Sequence, residues 1–181
     1  GGGVTGTYVE ARRINAGSPE PLWTGGFNTE LSWRGISLGI QLEARYGNKV
    51  VNQDRSLFEA DGSYGDSNSW KGAMNYWKKP GDTNVLPKPV YNNSSNSSAI
   101  STRYLEDGSY LRIKDITLAY SLPSKWTKKA LMSGVRIYAS ALNLYTFHNM
   151  NYWDPEHGTS GATIISYPMT RSMIVGVDIT F

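Results

Sequence analysis

The residues of this 181-residue chain best suited to chemistry lie in "WDPEHG", residues 153–158. Asp154, Glu156 and His157 put two carboxylates and an imidazole within four positions, a set able to move a proton or ligate a metal. Pro155 restricts the backbone between the carboxylates, and no second histidine follows at ligand spacing. The stretch therefore reads as a loop turn. "DGSYGDSNS" (61–69) has the composition of a calcium loop but lacks the acidic spacing of an EF-hand, and reads as a polar turn. Asn92, Asn93 and Asn96 each open an N-x-[ST] sequon inside a polar stretch and read as loop. The chain has no cysteine, so thiolate metal sites and disulfides are excluded. No catalytic residue, metal site or cofactor is expected.

Aromatic residues offer a second kind of site. Trp70, Tyr76, Trp77, Tyr91, Tyr152 and Trp153 fall in polar, Gly/Asn/Ser-rich stretches. Such rings stack on sugars or anchor a partner, because they bury much area at small entropic cost; otherwise they pack against their own loop. Trp77, Tyr91 and Trp153 are the candidate contacts. Charge gives little: Lys+Arg 18 against Asp+Glu 15 leaves +3, and no like-charge run exceeds two residues. That is no nucleic-acid signature. No apolar run reaches the roughly 20 residues of a spanning helix. The chain opens at Gly1 rather than Met and reads as a processed or truncated piece.

The elements that must carry these loops are strands. In "GFNTELSWRGISLGIQLEARYGN", Phe27, Thr29, Leu31 and Trp33 alternate with polar residues, as do Ile36, Leu38, Ile40, Leu42, Ala44 and Tyr46. A two-residue turn at Arg34-Gly35 pairs Trp33 with Ile36, Leu31 with Leu38, Thr29 with Ile40 and Phe27 with Leu42; the turn type stays open. Residues 47–108 show little periodicity apart from a short helix near 68–78. "SYLRIKDITLAYSLP" puts Ile116, Leu118, Tyr120 and Leu122 on one face, with Tyr110, Arg112 and Lys114 continuing it, until Pro123 stops the strand. "GVRIYASALNLYTF" alternates with ambiguous facing, and "MIVGVDITF" closes the chain. About five strands result. Their connections run short (34–35), long (47–108), short (123–133), long (148–170). Strands of about ten alternating residues with short turns at one rim and long loops at the other suit a transmembrane barrel. They also suit a soluble antiparallel sandwich with one buried face. In the barrel reading Trp33, Trp126 and Phe181 anchor the short-turn rim and Tyr46 the other, with Lys125, Lys128 and Lys129 at headgroup level. Leu31, Leu38, Ile40, Leu42, Val175 and Val177 then face lipid, and Glu30, Gln41, Glu43 and Asp178 the lumen.

Five segments in order, "PEPLWTGGFNTELSWRGISLGIQLEARYGNKVVN" (19–52), "YWKKPGDTNVLPKP" (76–89), "YLEDGSYLRIKDITLAYSLP" (104–123), "VRIYASALNLYTF" (135–147) and "YPMTRSMIVGVDITF" (167–181), with "DPE" (154–156), resemble the C-terminal end of SusC/RagA-type TonB-dependent outer-membrane transporters. Residues 1–18 match poorly. The resemblance implies an all-β fold: the last five or so strands of a barrel of about 22. Residues 1–25 would be an N-terminal loop segment. Residues 26–181 would be barrel strands with extracellular loops 47–108 and 148–170. It implies an integral protein of the bacterial outer membrane, importing oligosaccharides or peptides without catalysing a reaction. Its partners would be a SusD-like lipoprotein, the TonB complex (through regions absent from this chain), the remainder of the barrel and the lipid bilayer, with no nucleic acid. Gly176, Ile179 and Phe181 fall at the places of the family's terminal assembly signal. The alternatives are a soluble carbohydrate-binding β-sandwich and another outer-membrane barrel, such as a barrel enzyme.

Overall fold

Arg34 and Gly35 both take positive φ, 48° and 87°, the pairing required by a primed two-residue turn whose twist matches right-twisted strands. A Cβ on Gly35 would stand 2.8 Å from the Ser121 carbonyl oxygen, so only glycine fits there. The turn sets the expected register: Trp33 opposite Ile36, Leu31 opposite Leu38, Thr29 opposite Ile40 and Phe27 opposite Leu42. In this computed structural model residues 7–64, 68–158, 161–163, 167 and 169–181 are described, the side chains of 157 and 158 excepted.

The strands in chain order are β1 (Trp23–Trp33), β2 (Ile36–Tyr46), β3 (Lys49–Asn52), β4 (Leu105–Asp107), β5 (Tyr110–Ser121), β6 (Gly134–His148), β7 (Ala162–Thr163) and β8 (Ser172–Thr180). β1, β2, β5, β6 and β8 form one five-stranded sheet in that order, every pairing antiparallel. β4, β3 and β7 form a second, small sheet. The chain divides accordingly into a sheet unit (Pro21–Asn48, Gly108–Pro155, Tyr167–Phe181) and a loop unit (Gly1–Glu20, Lys49–Asp107, Glu156–Ser166). β1 begins at Trp23, inside the segment that sequence assigns to loop through residue 25. Its alternation runs back through Gly25 to Trp23, whose indole fills the space a Cβ on Gly25 would need, 2.4 Å away. No helix of the described residues is long and apolar enough to cross a membrane.

One sequence expectation for the sheet is overturned. Strict alternation puts Tyr110, Arg112 and Lys114 on the face of Ile116, Leu118 and Tyr120. The pairing steps from Gln41–Asp115 to Leu42–Ile113, skipping Lys114. On the other side it steps from Asp115–Leu142 to Ile113–Tyr145, where Asn143 takes φ 51°. This β-bulge inserts an extra residue and exchanges the faces beyond it. Leu111 and Ile113 join the apolar face, and Tyr110 and Arg112 join the polar one.

The loop unit is also more ordered than its sequence suggests. Val50 and Tyr104 are fully buried there, with Asn52, Asp54, Glu59, Asp61, Glu106 and Thr163. A short helix, α1 (Gln53–Phe58), is capped by the Asn52 side chain, which accepts from Arg55 N at 3.2 Å. Arg55 donates to Glu59 at 2.9 Å and to Glu106 at 2.7 Å. Trp70 stacks on Phe58 at 4.8 Å, and the expected helix near 68–78 is a 3-10 turn, Lys71–Met74. Strands of two to four residues are too short to leave a period-2 pattern, and their partners lie far along the chain. Within "DGSYGDSNS", Asp61 accepts from Ser63 at 2.8 Å, while Gly65, Asp66 and Ser67 lie outside the described residues.

Candidate functional site

The five-stranded sheet has two faces of opposite chemistry. Its register stacks cross-strand rows: Thr29–Ile40–Ile116–Ala141–Met173, Leu31–Leu38–Leu118–Ala139–Val175 and Trp33–Ile36–Tyr120–Ile137–Val177. These rows are almost wholly apolar. They are also open: Leu31 is 61% exposed, Leu118 52% and Val175 78%. A continuous apolar sheet face left in the open is a surface made for an apolar surrounding.

The intervening rows form the opposite face: Asn28–Gln41–Asp115–Leu142–Ser172, Glu30–Gly39–Thr117–Ser140–Ile174 and Ser32–Ser37–Ala119–Tyr138–Gly176. Here polar side chains satisfy one another. Thr117 donates to Asp115 at 2.8 Å, and Ser140 donates to Asp115 at 3.0 Å. Tyr110 donates to Glu43 at 2.8 Å, and Lys114 is ion-paired to the same carboxylate. The Tyr110 ring lies between Arg45 (5.9 Å) and Arg112 (5.5 Å). Arg136 meets Asp178 at 3.3 Å. At Gly176 a Cβ would come 2.4 Å from the Tyr138 ring, which lies across the glycine. Leu31, Leu38, Ile40, Leu42, Val175 and Val177 thus share one face and Glu30, Gln41, Glu43 and Asp178 the other.

Trp33, Trp126 and Phe181 lie at one end of the sheet. Trp33 closes β1 with Arg34 over its ring at 4.9 Å, Trp126 lies in α2 (Ser124–Thr127) and Phe181 follows β8. Tyr46 ends β2 at the other end, opposite Trp23. All four expected anchors are more than half exposed. Sequence reading misses further aromatics at the Tyr46 end: Trp23, and Tyr145 with Phe147, which meet edge-to-face at 4.7 Å. Extending the β1 alternation two steps back would have found Trp23; the bulge hid the other two. Ile179 pairs with Val135.

Residues 47–108 and 148–170 both leave the sheet at the Tyr46 end. Among the candidate contacts, Trp77 and Tyr91 belong to the loop unit and Trp153 to the sheet unit. Tyr91 is 78% exposed, Trp77 is partly exposed, and Trp153 is half-buried with an indole N–H that has no acceptor among the described residues. In "WDPEHG", Asp154 is ion-paired to Arg112 and residues Pro155–Gly158 form a 3-10 turn. The His157 side chain lies outside the described residues.

No family model matches the chain. TonB-dependent receptor P3 of Formosa agariphila is 30% identical over 187 positions, covering 97% of this chain and 18% of that protein. TonB-dependent receptor P26 of the same organism is 27% identical, covering 91% of this chain and 17% of its own length. Among solved structures, the RagAB peptide importer in the closed-closed state superposes with a TM-score of 0.77 at 30% identity, over 92% of this chain and 18% of that one. Its open-open state gives 0.73. The chain spans under a fifth of the length of the relatives it matches.

Proposed function

This chain is a relative of the TonB-dependent receptors over nearly its whole length, and we propose that it is part of an outer-membrane importer. The observation that carries the proposal is the open apolar face backed by a polar, ion-paired one. In a bilayer the apolar rows meet acyl chains while the polar rows line an aqueous lumen. β1 and β8 stand at the two edges of the sheet. An unpaired edge in lipid leaves backbone groups unsatisfied at several kcal/mol each. Both edges therefore join further strands of a closed barrel of about 22. A soluble sandwich would instead have to cover a face on which Leu31, Leu118, Val175 and Val177 are each more than half exposed.

The long loops lie on the extracellular side. They frame the substrate cavity and meet a SusD-like lipoprotein, with Trp77, Tyr91 and Trp153 as contacts; the TonB complex supplies energy from the periplasm. The cargo is a peptide or an oligosaccharide. What favours a peptide is that the matching solved structures are of a peptide importer. The test is uptake of labelled oligopeptide and oligosaccharide pools by cells with and without the full-length gene, each with and without a protonophore. Gene- and protonophore-sensitive uptake of one pool names the cargo. Equal uptake by cells lacking the gene refutes the importer role. External protease should cut within 47–108 on intact cells, and less so when the lipoprotein is present.

A further inference from the structure

At the long-loop end of the polar face, Arg112, Asn143, Thr146, His148, Asp154 and Arg171 line a cleft of about 120 Å³. The bulge builds the cleft. By exchanging faces at Lys114 it turns Arg112 to the polar side, where the arginine is fully buried and ion-paired to Asp154. The matching irregularity in β6 puts Asn143 at φ 51°, with its amide donating to the Thr170 carbonyl at 3.2 Å, and so ties the segment leading to Arg171 against the cleft. Arg171 itself is exposed and can be reached from solvent.

The charges do not balance. Two guanidinium groups face one carboxylate, and the other polar lining includes a hydroxyl and an imidazole, both able to donate. Asp154 already shows the kind of group such a lining accepts. A cation would meet net positive charge there, whereas a second carboxylate would meet the planar fork of the exposed Arg171, with the buried Arg112 adding only its charge. We propose that this cleft binds a carboxylate group of the imported substrate. The inference rests on the importer reading and deepens it: the preferred cargo is acidic, either a peptide with an acidic residue or a uronate-bearing oligosaccharide.

The experiment uses the full-length receptor, purified with its lipoprotein, and two matched pairs of probes. One pair is a glutamate-containing hexapeptide and its glutamine counterpart. The other is trigalacturonate and its methyl ester. Calorimetry should show the acidic member of one pair binding at least about tenfold more tightly, the scale of one charge-assisted hydrogen bond. Arg171→Gln, a change at an exposed position, should remove most of that preference while leaving the neutral member's affinity in place. Asp154→Asn should widen it. The pair that discriminates identifies the source of the carboxylate. No preference in either pair, or a preference that survives Arg171→Gln, overturns the cleft. Uptake assays separate the two ideas. Import of acidic and neutral probes alike, with equal affinities, keeps the importer and removes the cleft. An Arg171-dependent preference in receptor that imports nothing keeps the cleft and removes the importer.

Discussion

Placing an arginine at Ile40 or at Gln41 puts the same charge at the same depth on opposite faces of one strand. β2 has 11 residues; the ten steps between them, at about 3.4 Å each, make it about 34 Å long. Tilted by about 40°, it spans about 26 Å along the membrane normal, the height of the apolar band of an outer-membrane barrel. Ile40 and Gln41 are its fifth and sixth residues and would lie at the midplane of the proposed barrel. Ile40 stands between Thr29 and Ile116, Gln41 between Asn28 and Asp115. Ile40→Arg then puts a guanidinium among acyl chains at a cost of about 2–4 kcal/mol. Gln41→Arg meets the Asp115 carboxylate in a wet lumen and should cost less than about 1 kcal/mol. Leu38 is two residues nearer the short-turn end, about 5 Å closer to the headgroups, so Leu38→Arg should fall between them. The assay is urea unfolding of the full-length receptor in phospholipid vesicles, with heat-modifiable mobility on gels as a second measure. Equal losses at Ile40 and Gln41, or an Ile40→Arg protein as stable as its parent, would refute the facing and with it the membrane reading.

Arg55→Ala should loosen the loop unit by about 3 kcal/mol, because it strands the nearly buried Glu59 and Glu106 carboxylates; the measurement is the rate of cleavage within 47–108 on intact cells. Burial opposes the charge on Arg55, but Glu106 and Glu59 outweigh it and raise its pKa, so this pairing should hold across the accessible alkaline range. The Tyr104 hydroxyl is buried without a partner among the described residues, and burial raises its pKa above the ordinary value near 10. The folded loop unit therefore holds that proton more tightly than the unfolded one. Its contribution is complete below about pH 10 and is lost as pH rises from there through the raised value. Protease sensitivity of the loop should climb in that window, and Tyr104→Phe should flatten the climb without destabilising the loop at pH 8; an unchanged climb would assign it to another group. Gly176→Val should evict the Tyr138 ring from its place across the glycine and cost about 1–3 kcal/mol, which Tyr138→Ala in the same chain should partly restore in the vesicle unfolding assay.

The sheet's local rules were legible in the residues. Period-2 alternation in 27–46 fixed both the β1–β2 register and the face of every residue in it, since a one-residue slip would expose each apolar side chain to the wrong side. Pro123 and the Arg34-Gly35 pair marked ends and a turn for the same local reason. The alternation also separated Val175 and Val177 from Asp178. What local pattern cannot carry is an event set by a neighbouring strand. The bulge at Lys114 depends on pairing with β2 and β6, and it alone turns Arg112 toward Asp154, 42 positions away. The loop unit tells the same story. Val51 pairs with Leu105 and Ala162, and Arg55 reaches Glu106 across 51 positions. Each of these strands is too short to announce itself, because its stability comes from partners distant in sequence rather than from its own periodicity. The sequence by itself determined a two-faced antiparallel sheet and the ends from which its long loops leave. Tertiary pairing decided where the faces exchange, and so which charged side chains meet.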